Sequence, residues 1–127
     1  FLRSSISLSH DNKTLTIGAT PVPHVEILEE AKPLLEEKGI TLDIKEFTDY
    51  ALPNRALNEG DLDANFFQHI PYLNKEVEEK GYEIVNAGGI HIEPIAIFTK
   101  KYQSIDEIPN GATLIMSNSV ADHGRVL

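Results

Sequence analysis

Leu15-Thr16-Ile17-Gly18-Ala19 and Ile40-Thr41-Leu42-Asp43-Ile44 stand on either side of a helix-periodic run from about His24 to Lys38. This passage decides the fold. The first and last segments are short, rich in β-branched residues and of strand length, and the second alternates apolar and polar. Between them Leu28, Ala31 and Leu35 recur at helical spacing, with Ile27 and Leu34 beside that face, while Glu26, Glu29, Glu30 and Glu36 fall on the other. Thr20-Pro21-Val22-Pro23 is a stiff turn into the helix, and Gly39 supplies a left-handed cap at its end. Pro33 is the one residue at odds with the pattern, because an interior proline removes a backbone hydrogen bond and is expected to kink the helix. Strand, helix and strand in this order form the unit of a parallel sheet with helices on its faces.

The same grammar continues outward. Phe47 to Tyr50 leaves the second strand as a loop, and Pro53 to Glu59 reads as a short helix with proline in its first turn and Gly60 at its end. A strand is expected from about Leu62 to Phe67, then a helix from Pro71 to Lys80 capped by Gly81, with Leu73 and Val77 inward and Glu76, Glu78 and Glu79 solvated. Three more strands are expected at Glu83–Asn86, at Ile90–Phe98 and at Ala112–Met116; Pro94 places the middle one at an edge or at a bend. Ser104 with Glu107 matches a capping box, Asn110-Gly111 a turn, Ser117 to His123 a polar loop, and Gly124 to Leu127 the first turn of a helix. Residues 1–13 read as a linker or cloning remnant, with a loose strand at Ile6 and Leu8. A last strand with no helix to cover it leaves apolar surface exposed. The expectation is therefore a piece of a longer protein, or a chain completed by a second copy as an oligomer or strand-swapped pair.

The 127 residues carry 20 acidic and 11 basic side chains, a formal net charge of −9, and no cysteine. So acidic a surface repels phosphate backbones, and no local basic patch offsets it, so nucleic acid is excluded as a partner. Disulfides, thiolate chemistry and zinc–thiolate sites are excluded as well. No run approaches the ~18 consecutive apolar residues of a membrane span.

Asp63-Ala64-Asn65-Phe66-Phe67-Gln68-His69-Ile70-Pro71-Tyr72-Leu73 gathers aromatic faces and a few polar tips, the make-up of a strip that contacts a ligand. Strand alternation puts Asn65, Phe67 and His69 on one side and Phe66 and Gln68 on the other. Asn54 and Asn58 read as caps and turn formers, and Asp61 and Asp63 as solvated surface. Histidines stand at 10, 24, 69, 91 and 123, none paired at the i, i+3 or i, i+4 spacing of metal ligands. His69, His91 and Glu93 are the metal-binding alternative, and Tyr50 with His69 is the weak pair left for a small α/β enzyme. No nucleophile motif or phosphate loop is present, and no catalytic residue is assigned. Arg125, read at a helix start where anions are favoured, can hold a carboxylate through two parallel hydrogen bonds.

Asp49 to Leu57, the A-N-x-F-Q-H-x-P-Y-L pattern from Ala64 to Leu73, Glu93 to Lys101, and Gly124-Arg125 together resemble the methionine-binding lipoproteins of bacterial ABC importers, the NlpA family. The resemblance extends over nearly everything from Leu15 onward. It implies an α/β, periplasmic-binding-protein-like (type II) fold, a parallel-rich sheet flanked by helices, in which residues 14–97 are the first lobe and 98–127 the crossover and the start of an incomplete second lobe. It implies a non-enzymatic protein of the cell envelope, extracytoplasmic, that captures methionine or a close analogue and delivers it to an ABC permease. It also implies no cofactor, and a membrane tether through an N-terminal lipidated cysteine that this chain lacks. Tyr50, Phe67, His69 and Tyr72 would line the pocket from the first lobe and Arg125 would clamp the carboxylate. The loop Ser117–His123, with Asn118, would approach the ligand; it departs from the usual P-N-D-P-T-N, and Phe98 stands where tyrosine is common.

Overall fold

A computed structural model describes residues 13–126. The reading of residues 1–13 as a linker, with a strand at Ile6 and Leu8, falls almost wholly outside the described residues, as do His10 and Leu127. The chain parts into two compact units between Val85 and Asn86.

The first unit is built on β1 (Lys13–Ala19), α1 (Glu26–Glu36), β2 (Ile40–Glu46), α2 (Leu52–Glu59), β3 (Ala64–Phe66) and α3 (Ile70–Lys80). The three strands form one parallel sheet in the order β2-β1-β3, so β1 is central. The register pairs Ile17 with Ile44 on one side and with Ala64 on the other. Beyond the ladder, Phe47 N–H donates to the Ala19 carbonyl at 2.8 Å. On the opposite edge Asp63 N–H donates to the Thr16 carbonyl (2.9 Å) and Thr16 N–H to Asp63 Oδ2 (2.8 Å). Asp63 is exposed, as the sequence suggested, and also acts as a structural bridge that continues the β1–β3 pairing with its carboxylate.

Leu15, Ile17 and Ala19 alternate onto one face of β1 and pack with Leu42 and Ile44 of β2 and Leu28 and Leu35 of α1. Burying aliphatic side chains of this kind contributes roughly 1.5–3 kcal/mol each. Leu34 faces solvent instead. Pro33 stays within α1 without breaking it, because it sits in the exposed last turn and its carbonyl still accepts from Glu37 N–H (3.2 Å). On the opposite face of β1 lies Gly18. A Cβ there would come within 2.6 Å of Leu62 Cδ1 and 2.9 Å of Phe47 Cε2. Gly18→Ala is therefore expected to cost about 1–2 kcal/mol, the overpacking penalty less the entropy a strand glycine loses. A lowered urea midpoint at unchanged slope checks this.

Four expectations are corrected in this unit or the next. β3 spans only Ala64–Phe66, because from Phe67 the backbone turns toward the start of α3 and leaves the ladder. Glu76 is 5% exposed, with its carboxylate on Lys80 Nζ at 2.9 Å, so it is a buried ion-pair member. That hydrogen bond holds the Lys80 ammonium above its ordinary pKa. Among the described residues no strand forms at 83–86, where the first unit ends and the second begins, or in the second unit at 90–98 or 112–116. A strand exists only through its partner, and Val85, Ile92, Phe98 and Ile115 are exposed instead. Finally the last helix, α4 (Val120–Val126), begins four residues earlier than Gly124. Asp122 N–H bonds the Ser119 carbonyl (3.0 Å), and Ser117 Oγ donates to Asp122 Oδ2 (2.8 Å), so the polar residues start the helix. The capping box survives as a single 3-10 turn, Ile105–Glu107, with Glu107 accepting from Gln103 N–H at 2.8 Å.

Candidate functional site

Three of the residues singled out from the sequence meet in the first unit. Tyr50 lies at the end of the loop after β2, Phe67 just past β3, and Tyr72 in the first turn of α3. The Tyr50 and Phe67 rings stack at 6.2 Å with an interplanar angle of 23°. Tyr72 meets Phe67 edge-on at 6.0 Å and 79°. Both are geometries that the ring quadrupole favours. Tyr72 Oη donates to the Tyr50 carbonyl at 3.0 Å, joining the two ends of the group. Burial, and then the negative charge of Glu76, raise the Tyr72 phenol above its ordinary pKa, which keeps it a neutral donor to that carbonyl. Phe67 is 6% exposed and Tyr50 is 62% exposed, so the group has a fixed floor and an open wall.

The local sequence explains the placement. Asp49 Oδ1 accepts from Ala51 N–H at 2.6 Å, an Asx turn that sets Tyr50 just ahead of α2. Gly60, in the left-handed conformation, ends α2 and sends the chain back to the sheet. His69 has extended backbone at the N-cap of α3, Pro71 follows in the first turn, and the His69 carbonyl accepts from Leu73 N–H (3.1 Å). Alternation through the strip stops with β3. Phe66 turns to the core and meets the buried His24 ring edge-on at 4.8 Å, and His24 Nδ1 lies 2.9 Å from Thr20 Oγ1. Phe67 turns to Tyr50 and Tyr72.

Asn54 corrects the sequence reading. It is no cap: it is fully buried in α2, where its Nδ2 donates to Gln68 Oε1 (2.8 Å) and its Oδ1 accepts from Gln68 Nε2 (2.7 Å) and Asn65 Nδ2 (3.0 Å). The clue available in the sequence was a pair of amides, Asn65 and Gln68, on either side of two phenylalanines. Asn58 is no local turn former either: from within α2 it accepts from Glu83 N–H, 25 residues on, at 2.9 Å.

The remaining candidates lie in the second unit. Arg125 lies five residues past the first residue of α4, not at a helix start, so the free N–H groups of the first turn are not beside its backbone. Its guanidinium donates to the Glu93 carbonyl. Asn118 is exposed, just ahead of α4. His91 Nε2 and Glu93 Oε1 lie 2.6 Å apart. Among the described residues no helix is long and apolar enough to cross a membrane.

The parallel α/β unit matches the fold that the family resemblance implied, and the family model described as NlpA lipoprotein matches residues 15–127. The chain belongs to the NlpA lipoprotein family. It is 51% identical over 116 residues to the methionine-binding lipoprotein MetQ of Bacillus subtilis, covering 91% of this chain and 42% of that protein. The crystal structure of a B. subtilis lipoprotein superposes with a TM-score of 0.85 at 50% identity, over 90% of this chain and 47% of the other. A nutrient binding protein from Burkholderia cenocepacia, solved bound to methionine, gives 0.72 at 41% identity, over 77% and 41%. The fold is thus the periplasmic-binding-protein-like α/β type of the family. The chain spans less than half the length of these relatives.

Proposed function

We propose that this chain is part of a non-enzymatic substrate-binding protein that captures methionine, or a close amino-acid analogue, and delivers it to an ABC permease. In this reading residues 14–97 belong to the first lobe and 98–127 to the crossover and the start of the second. The protein works outside the cytoplasm, held at the cell envelope by a lipid anchor. The observation that carries the reading is the convergence of Tyr50, Phe67 and Tyr72 into one aromatic group with an exposed wall. A thioether is apolar and polarisable, and gains roughly 0.3–1.5 kcal/mol from each aromatic ring it touches. His69, two residues past Phe67 in the chain, orients a polar end of the ligand, and Arg125, together with Asn118, takes the carboxylate. The naming of the B. subtilis relative and the methionine in the B. cenocepacia structure support the same ligand. Capture shifts an open–closed equilibrium that the permease can sense.

Native mass spectrometry of the intact protein, followed by calorimetric titration with L- and D-methionine, tests this. A carried-through mass equal to methionine, and saturable heat with at least one enantiomer, are expected. An empty protein with no heat from either would overturn the reading.

A further inference from the structure

The Asn54 amide lies outside the aromatic group, yet every hydrogen bond it makes ends on the segment that carries Phe67. Asn65 and Gln68 stand at the two ends of Asn65-Phe66-Phe67-Gln68, and both are bonded to this one side chain at 3.0, 2.8 and 2.7 Å. The segment is also where β3 ends and the ladder with β1 stops at Phe66, so the backbone at Phe67 has no sheet partner to fix it. Asn54 is 0% exposed, and a buried carboxamide that loses its partners has no water to replace them. The reciprocal Asn54–Gln68 pair fixes distance and plane together, because both amides donate and accept at once. α2, which carries Asn54, begins two residues after Tyr50. The same side chain therefore ties Phe67 to the element that holds its stacking partner.

We infer that Asn54, acting through Gln68 and Asn65, is a positioning residue for the pocket wall: it sets the Phe67 ring against Tyr50 in the ligand-free protein. This rests on the methionine reading for its functional consequence, but the ring placement is independent of it. Sites of this kind depend on the groups behind the contact residues, since a wall left loose gives up ordering entropy whenever ligand binds.

The test uses the intact protein and three measurements: methionine Kd by calorimetry, thermal midpoint by far-UV circular dichroism, and the NOE between the Tyr50 and Phe67 rings without ligand. Gln68→Leu removes two of the three bonds at a half-buried position, a gentler change than emptying the buried Asn54 site. It is expected to abolish the NOE and to raise Kd about tenfold or more at a temperature where the protein is fully folded. Gln68→Glu keeps the reach and the acceptor for Asn54 Nδ2, and is expected to recover part of both. A variant with a lowered midpoint but unchanged Kd and a retained NOE would show the amides to be structural only and overturn the inference. If wild type itself fails to bind methionine, the functional reading falls, and the NOE alone decides the positioning role: loss in Gln68→Leu supports it, retention overturns it.

Discussion

Phe67→Ala is expected to destabilise the first unit by about 3 kcal/mol and to remove methionine binding in the intact protein. The stability cost follows from burial. Phe67 is 6% exposed, the floor of a group in which it touches Tyr50 on its face and Tyr72 on its edge. Truncation to alanine leaves a cavity that the neighbours close only in part, and large aromatic deletions of this kind cost ~3–5 kcal/mol. The low end applies because Tyr50, 62% exposed, has open space around it and can lean partly into the cavity. The binding cost is separable. Phe67→Leu keeps most of the apolar volume but gives up the ring, so it should cost stability only about 1 kcal/mol. In the proposed reading it still forfeits the sulfur–aromatic contact, worth ~0.3–1.5 kcal/mol, or up to about tenfold in affinity. Chemical denaturation paired with calorimetry on both variants checks this. Methionine affinity unchanged in Phe67→Leu and Phe67→Ala alike would take Phe67 out of the pocket.

Where local pattern coincides with the physical cause, the sequence was easy to read. β1, α1 and β2 follow from a period change across Pro21 and Gly39, and the parallel pairing of Ile17 with Ile44 is what that period change permits. Tyr50, Phe67 and Tyr72 were legible as ligand-type residues. Their stacking was not, because it depends on where α2 and α3 leave the sheet. Asn54 looked like a cap since asparagine near a helix start is often one; only tertiary structure reveals that its amide is turned inward onto Gln68. Ile92 and Ile115 carry the right composition for strands, but a ladder needs a second backbone, which composition cannot supply. The same limit explains α4. Ser117 and Ser119 read as loop formers, while in place the Ser117 hydroxyl on Asp122 and the Ser119 carbonyl make the first turn of a helix.

Moving α4 changes the argument for Arg125 but not its expected effect. Arg125→Ala in the intact protein is expected to weaken methionine binding by about 3–5 kcal/mol, the cost of leaving a desolvated carboxylate without its charge partner. Arg125 stands five residues past Val120, the first residue of α4, so its own backbone N–H lies beyond the free amides of the first turn. In the proposed reading the guanidinium holds the carboxylate by its own fork. Its bond to the Glu93 carbonyl fits this: a neutral acceptor takes one of the five N–H donors and orients the plane without neutralising the charge. Arg125→Lys separates charge from geometry. It keeps the cation but loses the planar fork, so it should retain only part of the affinity that alanine removes. Because the Glu93 bond lies within the second unit, both variants should also loosen α4, and hydrogen exchange of its amides reports that change apart from binding. Equal methionine affinity in wild type and Arg125→Ala, with α4 exchange accelerated, would make Arg125 a brace for the Glu93-Pro94 segment and remove it from the carboxylate site.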